Sequence, residues 1–117
     1  MPYDPNNVFA KILRDEIPSS RVYEDDEFIA FKDIEPAAPT HILVIPRAHE
    51  VERISDVGEA DAAWAGRMVV VATSIAREQG LVEGGYRLVF NNGSDAGQAV
   101  PHLHLHILGG KRLGPFA

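Results

Sequence analysis

His102-Leu103-His104-Leu105-His106-Ile107-Leu108 is the stretch that decides how this chain is read. In a β-strand every second side chain points to the same face. A strand over residues 102–108 lines one surface with three imidazoles and the other with Leu103, Leu105 and Ile107. The apolar side belongs against a core, so the imidazole side lies in a cleft or meets solvent. Imidazole works near neutral pH as nucleophile, acid, base or metal ligand. The preceding NNGSDAGQAVP, residues 91–101, is rich in glycine and small polar residues. It offers backbone N–H groups of residues 97–100 beside the rings, and amides next to imidazoles suit an anion.

Outward from the histidines the chain reads as short elements with tight links. Residues 7–14 form a short helix, with Asn7 as N-cap and Val8, Phe9, Ile12 and Leu13 on one side. Residues 21–24 and 28–33 are strands joined by the acidic turn Asp25-Asp26. Pro36 and Pro39 exclude regular structure from EPAAPT, which delivers His41 to an apolar strand over 41–45 that Pro46 ends. Trp64, Met68, Val71, Ala72 and Ile75 make a helical stripe within residues 59–79. Asp56 and Glu59 resemble a capping box, and Gly80 is the stop. Gly84-Gly85 turns the chain into a strand over 86–90. The sum is an α+β domain: a five-stranded, mostly antiparallel sheet, one main helix and a short N-terminal helix.

Bulk properties exclude several classes. With 117 residues and no linker, repeat or low-complexity tract, a single domain over 1–117 is expected. A net charge of −6 opposes binding to nucleic acid or anionic membranes through a basic surface. The absence of cysteine excludes disulfides and thiolate metal sites. MPYDPNN lacks the pattern of a signal peptide, and Arg67 and Arg77 interrupt the longest apolar run. These features describe a cytoplasmic protein without a membrane segment.

Two chemistries compete for the histidines. Two imidazoles at i and i+2 can share a zinc ion, but positions i and i+4 lie roughly 13 Å apart at Cα, too far for all three. A set of His102, His104 and His41 needs a fold coincidence, and no metal is assigned. Nucleophilic attack on phosphorus needs only a neutral imidazole whose Nδ1–H is held by an acceptor, with donors for the phosphoryl oxygens. A carbonyl of the same strand supplies the first, and the amides of 97–100 with flanking imidazoles supply the second.

HLHLHIL also resembles the histidine-triad signature, His-φ-His-φ-His-φ-φ with φ apolar. The stretches VFAKILRDEIPSSRVYEDDEFIAFKDIEPAAPTHILVIP, GYRLVFNNGSDAGQ and LGGKRLGP are similar to the Hint branch of that family. The resemblance implies a HIT-like fold and a homodimer without cofactor. It implies an enzyme that binds purine nucleoside monophosphates and hydrolyses nucleoside phosphoramidates such as adenylated amines. By position, His104 resembles the nucleophile, His102 the residue whose carbonyl orients it, and His106 a phosphate contact. His41 resembles the fourth family histidine. Asp33 falls where ribose hydroxyls bind. Phe9, Ile12, Ile17, Phe31, Ile34 and Leu43 match the base pocket. Asn91 and the loop Gly97, Gln98, Ala99 and Val100 match the phosphate-binding segment.

Plainer roles stand beside these. Phe9, Ile12, Phe31 and Leu43 suit a core whatever the function, Asp33 suits a turn, and His49 a surface. Trp64 suits helix packing or a dimer interface. Three departures bear on rate and amine preference rather than on reaction type. Ala99 stands where eukaryotic Hint proteins carry a serine that assists the leaving amine, Pro101 stands where tyrosine is usual, and GPFA replaces a longer tryptophan-containing tail. Ala99 favours one alternative, a nucleotide-binding interaction module with vestigial catalysis. Another HIT branch, cleaving dinucleoside polyphosphates or transferring nucleotidyl groups, is the other.

Overall fold

Pro46 sets where the central ladder ends, and with it where two of the histidines stand. In a computed structural model describing residues 3–116, strand β3 (Thr40–Pro46) pairs antiparallel with β2 (Phe28–Lys32) on one side and β5 (Leu105–Gly109) on the other. Strand β1 (Arg21–Glu24) flanks β2 through a bulge between Arg21 and Tyr23, and β4 (Tyr86–Val89) flanks β5. The order is β1-β2-β3-β5-β4, every pair antiparallel. Met1, Pro2 and Ala117, which end the MPYDPNN and GPFA stretches and the expected 1–117 domain, lie outside the described residues.

The expected strand over 102–108 is shorter at its start. Val44 pairs with Leu105, and the ladder goes no further toward His104. Proline has no N–H to extend it. The amide of Leu103 turns instead to the carbonyl of Val51 at 2.7 Å. His102 and His104 therefore lie in the lead-in to β5, and only His106 lies within it. The side-chain alternation survives: Leu103, Leu105 and Ile107 pack with Phe28, Ala30, Ile42 and Val44.

That face is covered by α2 (Ala62–Glu78), which buries Trp64, Met68, Ala72, Ile75 and Ala76. Full burial of a large apolar side chain contributes about 1.5–3 kcal/mol. Three of them outweigh the roughly 1 kcal/mol of any one cap. The cap differs from the expected Asp56 and Glu59. Residues 59–61 form a separate 3-10 turn, and Asp61 accepts from the Gly58 amide at 3.0 Å and from Trp64 Nε1 at 3.0 Å. At the far end Gly80, with φ +74°, lets Leu81 N–H reach the Ala76 carbonyl.

The opposite face was expected to lie in a cleft or face solvent. Part of it is packed under α1 (Val8–Leu13), where Phe9 and Ile12 meet Ile29, Phe31, Leu43 and Ile45, and the rest lines the expected cleft. Strands β2 and β3 are thus buried on both faces. Among the described residues no helix is long and apolar enough to cross a membrane.

Candidate active site

The four histidines at 41, 102, 104 and 106 form two hydrogen-bonded pairs whose tautomers follow from their partners. His104 Nδ1 lies 2.7 Å from the carbonyl of His102. A carbonyl only accepts, so Nδ1 carries the proton and Nε2 keeps a free lone pair. His102 Nε2 donates to the Pro46 carbonyl at 3.3 Å, and its Nδ1 accepts from the Tyr3 hydroxyl at 2.5 Å. His41 Nδ1 accepts from the Ala37 amide at 3.0 Å, which places its proton on Nε2. That proton faces His106 Nδ1 at 2.8 Å and Asp33 Oδ2 at 3.5 Å. His106 consequently carries its own proton on Nε2, a buried atom without a hydrogen-bond partner.

Burial keeps all four rings neutral. His102 is 1 % exposed and His104 7 %. Desolvation pushes His102 down to about 4 and, helped by the neighbouring rings of His104 and His41, His106 also to about 4. Desolvation lowers His104 and His41 too, opposed by the hydrogen bond to His102 and the Asp33 charge at His104, and by Asp33 at His41. Asp33, His41 and His106 have ligand atoms within 4.8 Å of one another, a spacing a metal could use. The Ala37 amide keeps the His41 proton on Nε2, the atom that would have to ligate, so the cluster shares protons instead.

Beside the histidines a cavity of about 260 Å³ opens between α1 and the sheet. All six residues matched to a base pocket line it: Phe9, Ile12, Ile17, Phe31, Ile34 and Leu43. Ile34 is 93 % exposed and so forms its rim rather than its wall. Phe9 presents its ring edge-on to His104, centroids 4.9 Å apart, and ties the cavity to the triad. Asp33 stands at the mouth with Oδ1 accepting from the Glu35 amide at 2.9 Å. Val8, on the apolar side read for α1, also lines the cavity, as do Pro18, Ser19 and Lys32, whose positions in a turn or at a strand end carry no periodic signal.

The loop over 91–101 is narrower in its offer than expected. The amides of Gly97 and Gln98 are spent on the carbonyls of Ser94 and Gly93, which leaves those of Ala99 and Val100. Gln98 is a clamp: Oε1 accepts from Gly93 N–H at 2.9 Å, and Nε2 donates to the carbonyls of Glu52 and Val100 at 2.8 and 3.1 Å. Gly97, at φ +80°, makes the bend possible. Val100 reaches the cavity, Ala99 is exposed, and Asn91, half-buried, does not line it. His49 stacks on Trp64 with centroids 4.2 Å apart, on the α2 side.

The HIT domain model matches residues 14–113, a span that holds the whole triad and its facing histidine. The chain belongs to the HIT family. It is 49 % identical over 108 residues to a purine nucleoside phosphoramidase of Escherichia coli K12, covering 92 % of this HIT protein and 90 % of the relative. A HIT family hydrolase from Legionella pneumophila matches with TM-score 0.91 and 45 % identity, covering 96 % of this chain and all of that one. A histidine triad protein from Clostridium difficile superposes over the full length of both chains, with TM-score 0.90 and 43 % identity. These HIT structures share the five-stranded sheet and helices described above.

Proposed function

We propose that this HIT protein hydrolyses the P–N bond of purine nucleoside phosphoramidates, adenylated amines among them. The observation that carries the reading is the His104 ring, with Nδ1–H held on the His102 carbonyl and Nε2 left as a lone pair. Nε2 attacks the α-phosphorus and the P–N bond breaks. The amine leaves with the bonding pair and takes a proton from water, since Ala99 presents no hydroxyl. The hydroxide left by that proton transfer then attacks phosphorus, the P–Nε2 bond breaks, and the nucleoside monophosphate departs with the lone pair restored to His104.

The unpartnered His106 Nε2–H and the amides of Ala99 and Val100 supply donors for the phosphoryl oxygens. The apolar cavity takes the purine, and Asp33 accepts from the ribose hydroxyls. The phosphoramidase relative supports the substrate class. The same proposal includes a homodimer, supported by the open edge of β4 and by exposed Val69 and Val70 on α2. It also includes a single domain and a cytoplasmic setting, which a cysteine-free chain suits.

The test is hydrolysis of adenosine 5′-phosphoramidate in EDTA, beside His104→Ala. AMP release by the parent alone supports metal-free, histidine-dependent turnover. AMP bound but never released favours the interaction module that Ala99 suggests.

A further inference from the structure

We propose that Tyr3 is a positioning residue for the nucleophile, acting through the buried ring of His102. The proposal rests on the reading of His104 as nucleophile. A file of hydrogen bonds runs in one direction into His102. Asn7 Nδ2 donates to the Tyr3 hydroxyl at 2.9 Å, the hydroxyl donates to His102 Nδ1, and His102 Nε2 donates to the Pro46 carbonyl. No member can be reversed. The Pro46 carbonyl has no proton to give, so His102 Nδ1 must accept and Tyr3 must donate. The Asn7 amide is fixed as well, because its second N–H goes to the Asp4 carbonyl at 2.7 Å and its oxygen caps α1 at the Ala10 amide, 2.8 Å away.

The far end of this file is the aim of His104. The His102 ring is fully enclosed, gripped at both nitrogens, and Tyr3 also meets it edge-on at 5.6 Å between centroids. A ring gripped at both ends fixes its own backbone, and the carbonyl of that residue is the one holding His104 Nδ1–H. The Pro46 bond alone, at 3.3 Å, is long for a hydrogen bond and a weak restraint. The hydroxyl of Tyr3 is therefore the stronger of the two grips. Behind it lies a cavity of about 270 Å³ lined by Tyr3, Arg14, Arg47, His49, Glu50 and His102 itself, and among the described residues no second group donates to His102 Nδ1 if the hydroxyl goes. Small displacements of a reacting group are costly, about a hundredfold for 1 Å.

Tyr3→Phe keeps the aromatic ring and removes only the donor. In histidine-15N-labelled protein, long-range 1H–15N correlation reads both rings. We expect the His102 Nδ1 signal to move toward a free lone pair and the His104 Nδ1–H proton to move upfield as its bond to the carbonyl loosens. For adenosine 5′-phosphoramidate, kcat should fall about tenfold with KM changed less than about twofold, the pattern of a lost transition-state alignment. Unmoved His104 signals, or a change confined to KM or to melting temperature, would overturn the proposal. Should the parent itself fail to hydrolyse the substrate, the phosphoramidase reading falls, while the His104 Nδ1–H signal still decides whether Tyr3 positions that ring.

Discussion

At the scale of single residues the site is a set of imidazoles held neutral by burial, and its pH behaviour follows. The proposed nucleophile, His104, is active as the free base, and desolvation lowers its pKa. The acid limb of kcat should lie below the ordinary imidazole range, near 6.5; a midpoint at or above it would contradict the buried geometry. The same burial ties stability to pH. His102 is neutral when folded, with its pKa near 4, and ordinary when unfolded. Its contribution is complete above about 6.5 and is lost as pH falls toward 4, costing about 2 kcal/mol between pH 7 and pH 5. His106, also near 4, adds a loss of similar size over the same window, so urea midpoints at the two values measure the buried rings together, above the range where carboxylates dominate. His104→Ala should abolish turnover and leave AMP affinity within about tenfold, by calorimetry. Asp33→Ala should act mainly on binding; a fall in kcat alone would remove it from the ribose. Spacing alone made the triad legible, since period two in HLHLHIL puts three rings together in any extended backbone. The same-strand carbonyl also made the His104 tautomer legible, but not which nitrogen carries the proton in the rings of His41, His102 and His106. That depends on the Ala37 amide and the Pro46 carbonyl, neither adjacent in sequence to the ring it meets.

At the scale of elements, the loop before β5 is held by one side chain. Gln98 joins the loop to itself and to residue 52 through three hydrogen bonds. Gln98→Ala should cost about 1–3 kcal/mol, because the Gly93 amide and Glu52 carbonyl lose partners. It should also lower kcat by releasing the amides of Ala99 and Val100; an unchanged kcat would show that those amides are not phosphoryl donors. Most elements were legible from periodicity and turn residues, within a residue or two at their ends. The two misreadings have different causes, a distant backbone carbonyl in one and a local side-chain cap in the other. Leu103 gives its amide to Val51, which ends β5 early, and Asp61 serves both Gly58 and Trp64, which moves the start of α2. Val51 acts through its carbonyl, which no side-chain pattern announces, whereas Asp61 between Ala60 and Ala62 is a start signal that the choice of Asp56 and Glu59 passed over.

At the scale of the molecule, a sheet packed on both faces puts α2 and α1 to different uses. The α2 side is core, and the α1 side shares its packing with the site. The all-apolar run FIAF in β2 is consistent with either one buried face or two, so the position of α1 over the triad was not legible. Tyr3 and His102, 99 positions apart, are beyond any local pattern. The proposed dimer predicts a native mass of two chains by light scattering, and a single-chain mass would remove it.

One consequence of the proton-sharing cluster concerns charge balance. The four rings are neutral, Asp33 is the formal charge beside those of His41, His104 and His106, and exposed Lys32 is the one cation among the residues lining the cavity. Such a site meets a phosphoramidate monoanion with dipoles rather than with ions. Binding should therefore depend little on ionic strength, unlike sites built on guanidinium clamps. Hydrolysis gives the phosphate a second negative charge that neutral donors beside a carboxylate are poorly placed to hold. The reaction thus manufactures its own repulsion, and the spent nucleotide is pushed toward water by the chemistry that made it.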